Sequence, residues 1–234
     1  MESILDVQDI HTFIGQYHIL QGVSLCAPKG SITALLGRNG AGKTTTLKSI
    51  LGLTPPRQGR ISFNRRDIQG MRSFDIASLG IGFVPEHRAI FRSLSVEENL
   101  KIAERTKGDY SRKQEFIFNL FPDLKRLIHL PGTSLSGGQQ QMLAIARALV
   151  PDNQLLLIDE PSEGLAPVLI EQLMQAIRSL SSATSVLLVE QNFLVASKLA
   201  EHYVIIEEGR SVQEGKMQDL IEDKAAIHRY LGAA

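Results

Sequence analysis

Gly37-Arg38-Asn39-Gly40-Ala41-Gly42-Lys43-Thr44-Thr45 is the stretch that decides the fold. It follows G-x-x-x-x-G-K-[ST], the phosphate-binding P-loop pattern. Upstream, Ser31-Ile32-Thr33-Ala34-Leu35-Leu36 is a short apolar, partly β-branched run that reads as a buried strand. Downstream, Leu47, Ile50 and Leu51 recur at helical spacing, with Gly52 near the end of the run. The motif thus lies between a strand and a helix, the context it needs. Glycines let successive backbone N–H groups turn inward into an anion-binding nest, and the helix N-terminus adds its partial positive charge. Lys43 can reach the β- and γ-phosphates of a nucleotide, and the Thr44 hydroxyl can ligate Mg2+. A ligand-free glycine-rich turn is the alternative; the flanking elements favour the nucleotide.

Composition narrows the class. At 234 residues the chain is one domain, or one with a sizeable insertion, and long enough for a full core. Acidic and basic residues balance at 25 each, so no global field draws it to nucleic acid or to an anionic membrane surface. A single cysteine, Cys26, excludes an intramolecular disulfide and suits a reducing compartment. It reads as a small buried hydrophobe near a strand end. No run approaches the roughly 18 apolar residues of a spanning helix, and no signal-peptide pattern is present. The expectation is a chain soluble by itself, with any membrane role supplied by partners.

Along the chain, Ile4 to His11 and Ile19 to Cys26 alternate apolar and polar residues and read as antiparallel strands joined through Gly15. Arg60 to Phe63 and Ile81 to Val84 read as strands, and Phe74 to Leu79 as a helix. From Ser95 the character changes. Ser95-Val96-Glu97-Glu98 is a capping box opening a helix; Arg112 to Phe121 forms a second, closed by Pro122, and Leu124 to Leu130 a third. Strand and helix then alternate again. Leu155 to Ile158, Ser185 to Val189 and Tyr203 to Ile206 are strands, and Val168 to Leu180 and Phe193 to Leu199 are helices. Glu208-Gly209-Arg210 makes a hairpin turn, and two short helices run to Leu231. This alternation argues for a mainly parallel sheet covered on both faces.

Two later stretches bear on the chemistry. Leu156-Leu157-Ile158-Asp159-Glu160 is an apolar strand ending in two carboxylates. Asp159 can hold Mg2+ across from Thr44, and Glu160 can polarise an attacking water as general base. A solvated acidic strand end leading into Pro161 is the plain alternative. In Leu135-Ser136-Gly137-Gly138-Gln139, Ser136 is a natural N-cap and the two glycines let a phosphate approach exposed N–H groups, a second anion site. A well-capped core helix would not, on this reading, need both glycines.

LSGGQ between that P-loop and LLIDE resembles the signature arrangement of ATP-binding cassette (ABC) ATPases, and the resemblance covers the whole chain. It implies an α/β P-loop NTPase: a RecA-like, mainly parallel sheet core with an antiparallel β subdomain and an inserted helical subdomain. Residues 1–234 would be one ABC ATPase domain, with 1–86 and 150–234 the nucleotide-binding core and about 87–149 the helical signature subdomain. It further implies a head-to-tail dimer, in which ATP on Lys43 of one subunit is closed over by Ser136, Gly137, Gly138 and Gln139 of the other. Glu86 stands where most members have the Q-loop Gln, beside the metal, so Thr44, Glu86 and Asp159 form the metal set. Gln191 stands at the switch-histidine position; it can donate a hydrogen bond but cannot become charged. Glu160 then carries the base role and Gln191 only positions phosphate and water. The family's adenine-stacking position falls on Ile14, so flanking Tyr17 or Phe13 would have to stack, or else pack over the hairpin.

Val84-Pro85-Glu86-His87-Arg88, the stretch from Glu160 to Pro167, Val189-Glu190-Gln191-Asn192 and Tyr230-Leu231-Gly232 look like one ATPase subunit of branched-chain amino acid importers, or of the related urea and amide importers. The partners implied are membrane permease subunits, a second ATPase subunit as homo- or heterodimer, and indirectly a periplasmic binding protein. No nucleic acid is expected. The location implied is cytoplasmic, peripheral on the inner face of the membrane. The neighbourhood of His87, Arg88, Ile90 and Phe91 would receive the permease, with Ile90 and Phe91 as core residues the equal alternative. Two rival functions stay open: a soluble ABC ATPase acting on nucleic acid or ribosomes, and a regulatory subunit that binds ATP without hydrolysing it. The histidines show no metal-ligand spacing.

Overall fold

A computed structural model describes residues 2–181 and 184–232. Two sheets meet around the P-loop. The antiparallel sheet has order β2-β1-β4-β5, from β1 (Ser3–Ile14), β2 (Tyr17–Pro28), β4 (Gln58–Phe63) and β5 (Arg66–Asp67). The larger sheet has order β10-β9-β3-β8-β7-β6, from β3 (Ile32–Leu36), β6 (Ile81–Val84), β7 (Leu155–Asp159), β8 (Ser185–Glu190), β9 (His202–Glu207) and β10 (Arg210–Lys216). Its pairings are parallel except for β10 against β9.

The inner stretches of the parallel strands are largely apolar because both of their faces are buried. The period of two divides them: Leu35, Leu157, Leu187 and Val189 pack towards the antiparallel sheet and α1 (Lys43–Ile50). Leu36, Ile158, Val186 and Leu188 pack towards the helices on the opposite face. α2 (Ser73–Ser78) precedes β6. Between β6 and β7 come α3 (Val96–Lys101), α4 (Asp109–Leu120), α5 (Pro122–Arg126) and α6 (Gly137–Leu149). α7 (Pro167–Ser181) and α8 (Phe193–Leu199) follow β7 and β8; α9 (Met217–Glu222) and α10 (Lys224–Ala226) follow β10, before a π turn over Ile227–Leu231.

Local chemistry accounts for most boundaries. The Ser95 hydroxyl accepts from Glu98 N while the Glu98 carboxylate accepts from Ser95 N, the reciprocal cap expected at α3. Pro122 does more than close α4. It is the first residue of α5, where its missing N–H costs nothing, so the third helix starts two residues early and ends at Arg126. After the Glu208-Gly209 turn the chain forms β10 before any helix. Cys26 corrects the sequence reading: alternation puts Leu25 and Ala27 inside and Cys26 outside, where its thiol donates to Ser3 Oγ at 3.2 Å.

Candidate nucleotide site

The P-loop bridges the end of β3 and the start of α1. Gly37 has φ 152°, and a Cβ there would lie 2.3 Å from the Ile206 carbonyl oxygen of β9. Gly42, the N-cap of α1, has φ 112°, and a Cβ there would lie 2.8 Å from Leu20 Cδ2. Only glycine fits either place. The loop is braced from behind: Gly209 N donates to Ala41 O at 2.9 Å, and Gln21 N donates to Gly209 O at 2.7 Å. Arg38 turns away and donates to the Arg229 carbonyl at 3.0 Å, tying the loop to the C-terminal turn.

Lys43 is buried. Its Nζ donates to Gly37 O at 2.9 Å and Arg38 O at 3.2 Å, and lies 3.0 Å from Glu160 Oε1. Thr44 Oγ1 donates to Asp159 Oδ1 at 3.2 Å. Burial is the main force pushing the Asp159 carboxyl up to about 6; the Thr44 hydrogen bond opposes it, and the Glu160 and Glu86 charges add to it. An open cleft of about 500 Å³ fronts these groups, lined by Asn39, Gly40, Gly42, Lys43, Thr44, Thr45, Glu86, Glu160, Glu163, Ile14 and Ile19. Hard oxygen donors at Thr44 and Asp159 suit Mg2+, which takes one or two carboxylates and completes its shell with water and phosphate. Among the described residues, no cluster of three or more His, Cys, Asp or Glu is arranged to hold a metal alone.

Other positions named from the sequence lie elsewhere. Gln191 is exposed, one residue past β8, outside the cleft lining. Tyr17 is 67% exposed and faces Ile14 across the hairpin, but only Ile14 lines the cleft. Phe13 has no free face for a base: His18 stacks on it at 4.2 Å, and the Arg57 guanidinium sits over the ring at 4.3 Å. Ile90 packs against the core, while Phe91 is exposed beneath the Arg147 guanidinium, 4.8 Å from the ring centre.

Ser136 caps α6 reciprocally: Gln139 N donates to Ser136 Oγ at 3.3 Å, and Ser136 N donates to Gln139 Oε1 at 2.9 Å. The two glycines differ. A Cβ at Gly138 would lie 2.2 Å from Leu169 Cδ1 of α7, so that side chain would have to move to admit any other residue. Gly137 is exposed and faces the Arg88 guanidinium. Gly138 and Gln139 line a separate groove with α4, α5 and α7, so the signature and the P-loop do not share a cleft within one chain. Two acids escaped notice in the sequence as site residues. Glu163 lines the P-loop cleft, and Glu190, a strand-end acid like any other in one dimension, is 1% exposed beneath the loop that follows Glu160.

This fold and site define a P-loop nucleotide-binding cassette. The ABC transporter family model matches residues 20–163, and the chain belongs to that family as one of its ATP-hydrolysing subunits. It is 38% identical to the high-affinity branched-chain amino acid transport ATP-binding protein BraG of Pseudomonas aeruginosa, over 98% of this chain and 100% of that one. It is 36% identical to the probable branched-chain amino acid transport ATP-binding protein LivF of Archaeoglobus fulgidus, over 88% of this chain and 89% of that one. A crystallised ATP-binding cassette of an ABC transporter in its ADP conformation superposes over the whole of both chains with a TM-score of 0.86 at 24% identity, a likeness of fold. Cassettes of this family dimerise and work with membrane permease subunits. Among the described residues no helix is long and apolar enough to cross a membrane.

Proposed function

We propose that this chain powers uptake of branched-chain amino acids through separate permease subunits, from the cytoplasmic face of the membrane. The observation that carries the mechanism is the gathering of Lys43, Thr44, Asp159 and Glu160 in one cleft while the signature opens elsewhere. Lys43 exchanges its loop carbonyls and Glu160 for the β- and γ-phosphates of ATP. Thr44 and Asp159, with Glu86 beside them, would hold Mg2+, which would supply positive charge to the phosphates. Glu160, freed of Lys43, takes the proton of the attacking water. Gln191 comes to the γ-phosphate when the dimer closes, and Ser136, Gly137, Gly138 and Gln139 serve the ATP of the opposing subunit. Residues 1–86 and 150–234 act as the nucleotide-binding core, and about 87–149 as the unit carrying signature and permease contact. A second ATPase subunit and a periplasmic binding protein complete the assembly. Similarity to BraG and LivF across nearly full length supports the cargo.

The test is ATP turnover by the transporter reconstituted with its permeases. A leucine-loaded binding protein should stimulate turnover, and Glu160→Gln should lower it about a hundredfold or more while ATP still binds. Stimulation by urea and not by leucine would refute the cargo; full turnover in Glu160→Gln would refute the base.

A further inference from the structure

Glu190 is a buried acid with hydrogen-bond donors around it and no ion pair among the described residues. It ends β8, between Leu36, which leads into the P-loop, and Asp159, whose register partner is Val189. Its Oε1 accepts from Ser162 N at 3.2 Å, and its Oε2 from Ser162 Oγ at 3.0 Å and Asn192 N at 3.3 Å. Asn192 in turn caps α8, its side chain accepting from Leu194 N and Val195 N. Glu160 N donates to Val189 O at 3.0 Å, so the same strand end also holds the backbone of the base. One carboxylate therefore joins the loop two residues past Glu160 to the segment carrying Gln191.

We propose that Glu190 is a positioning residue for ATP turnover, locking the loop after Glu160 to the Gln191 segment so that they move as one piece when the dimer closes. The proposal rests on the roles given above to Glu160 and Gln191. Stability alone does not call for this residue. A buried carboxylate without a counter-ion is costly, and an apolar side chain could fill the space. What a carboxylate adds is the ability to accept all three bonds at once. A glutamine there has one acceptor atom and an NH2 that must turn against donors, so Glu190→Gln imitates the protonated acid. Burial pushes the Glu190 carboxyl up to about 7, the bonds from Ser162 and Asn192 oppose it, and the Glu160 charge adds to it. The locked form is thus the one present at higher pH.

Steady-state ATP turnover of the reconstituted transporter tests this between pH 6 and 8.5. In Glu190→Gln at pH 8, kcat should fall about tenfold with the KM for ATP within about twofold, because positioning is lost and ground-state binding is not. Wild-type kcat should fall towards the variant's level as pH drops through about 7, whereas the variant's profile should lack that limb. Ser162→Ala should cost about threefold in kcat, Ser162→Thr should restore it, and Ser162→Ala should add nothing to Glu190→Gln. These single and double comparisons read the lock without depending on the fold of any one variant. Wild-type kcat at pH 8 in both Glu190→Gln and Ser162→Ala would overturn the proposal. So would losses confined to KM, or to melting temperature with kcat per folded site unchanged. Full turnover in Glu160→Gln would remove the base assignment instead, and would leave the Glu190 effect on kcat to stand or fall on its own.

Discussion

Two helices in this chain start on glycine-rich turns, and they start differently. α1 begins at Gly42, left-handed and without any side-chain cap, so its first N–H groups are left for a ligand in the cleft directly ahead. α6 begins at Ser136, extended, with a reciprocal cap that satisfies donors internally. The uncapped helix is the one with its own lysine, hydroxyl and carboxylates around it. The capped helix has the Arg88 guanidinium nearest its open glycine. On the dimer reading, the difference has a physical reason. A helix start that binds ATP within its own chain can leave donors open, since ligand is always close. One that waits for a second chain must be stable without it.

The comparison breaks most directly at Lys43. Lys43→Ala removes the only cation that lines the P-loop cleft among the described residues and leaves Glu160 facing phosphate without its partner. Nucleotide affinity of the purified chain should fall about a hundredfold, since charge-assisted bonds to phosphate are among the strong ones. Titration with a fluorescent ATP analogue reads this. Affinity unchanged in Lys43→Ala would mean that open N–H groups bind phosphate unaided, and the distinction between the two helix starts would lose its basis.

How much of this was legible in one dimension follows from which forces are local. The P-loop, the strand ending in Asp159 and the Ser136 cap are set by neighbours in sequence, and each lies where the motifs placed it. Ile81–Val84 and Phe193–Leu199 were readable to the residue because turn and cap residues bound them. Cys26 was misread although the alternation of Leu25 and Ala27 already pointed its side chain outward. The remaining gaps come from distant packing. Nothing near Gly138 in sequence announces that Leu169 of α7 packs against it. The role of Glu190 is hidden in sequence because its Ser162 donors come from 28 residues away and meet it only once β7 and β8 pair. The hold of Arg38 on the Arg229 carbonyl likewise joins the two ends of the fold.

A paired glycine experiment sharpens the contrast. Gly42→Ala forces a Cβ into a left-handed position against Leu20 and should destabilise the chain by about 2 kcal/mol, with weaker ATP binding. Gly137 has no left-handed angle, and the atoms facing it belong to a movable guanidinium. Gly137→Ala should therefore leave stability within about 0.5 kcal/mol and ATP affinity of the single chain unchanged, while lowering turnover in the assembled transporter. Urea unfolding of both variants beside ATP titration makes the measurement. If Gly137→Ala weakened ATP binding in the single chain, α6 would belong to the same subunit's site and the half-site reading would fail.

The smallest expected effect separates the cap from the phosphate contact. Ser136→Ala removes the oxygen that accepts from Gln139 N and should cost about 1 kcal/mol, seen as a melting temperature lower by about 2–4 °C. ATP affinity of the purified chain should not move, because no signature residue lines the P-loop cleft. Turnover of the assembled transporter should drop severalfold, by more than the small unfolded fraction explains. Ser136→Asp gives the control that decides between the two roles. Aspartate caps a helix as well as serine does, so stability should return, yet its charge would repel an incoming triphosphate and turnover should fall further. Recovery of both together would make Ser136 a cap and nothing more. The second anion site would then rest on the open backbone at Gly137 alone.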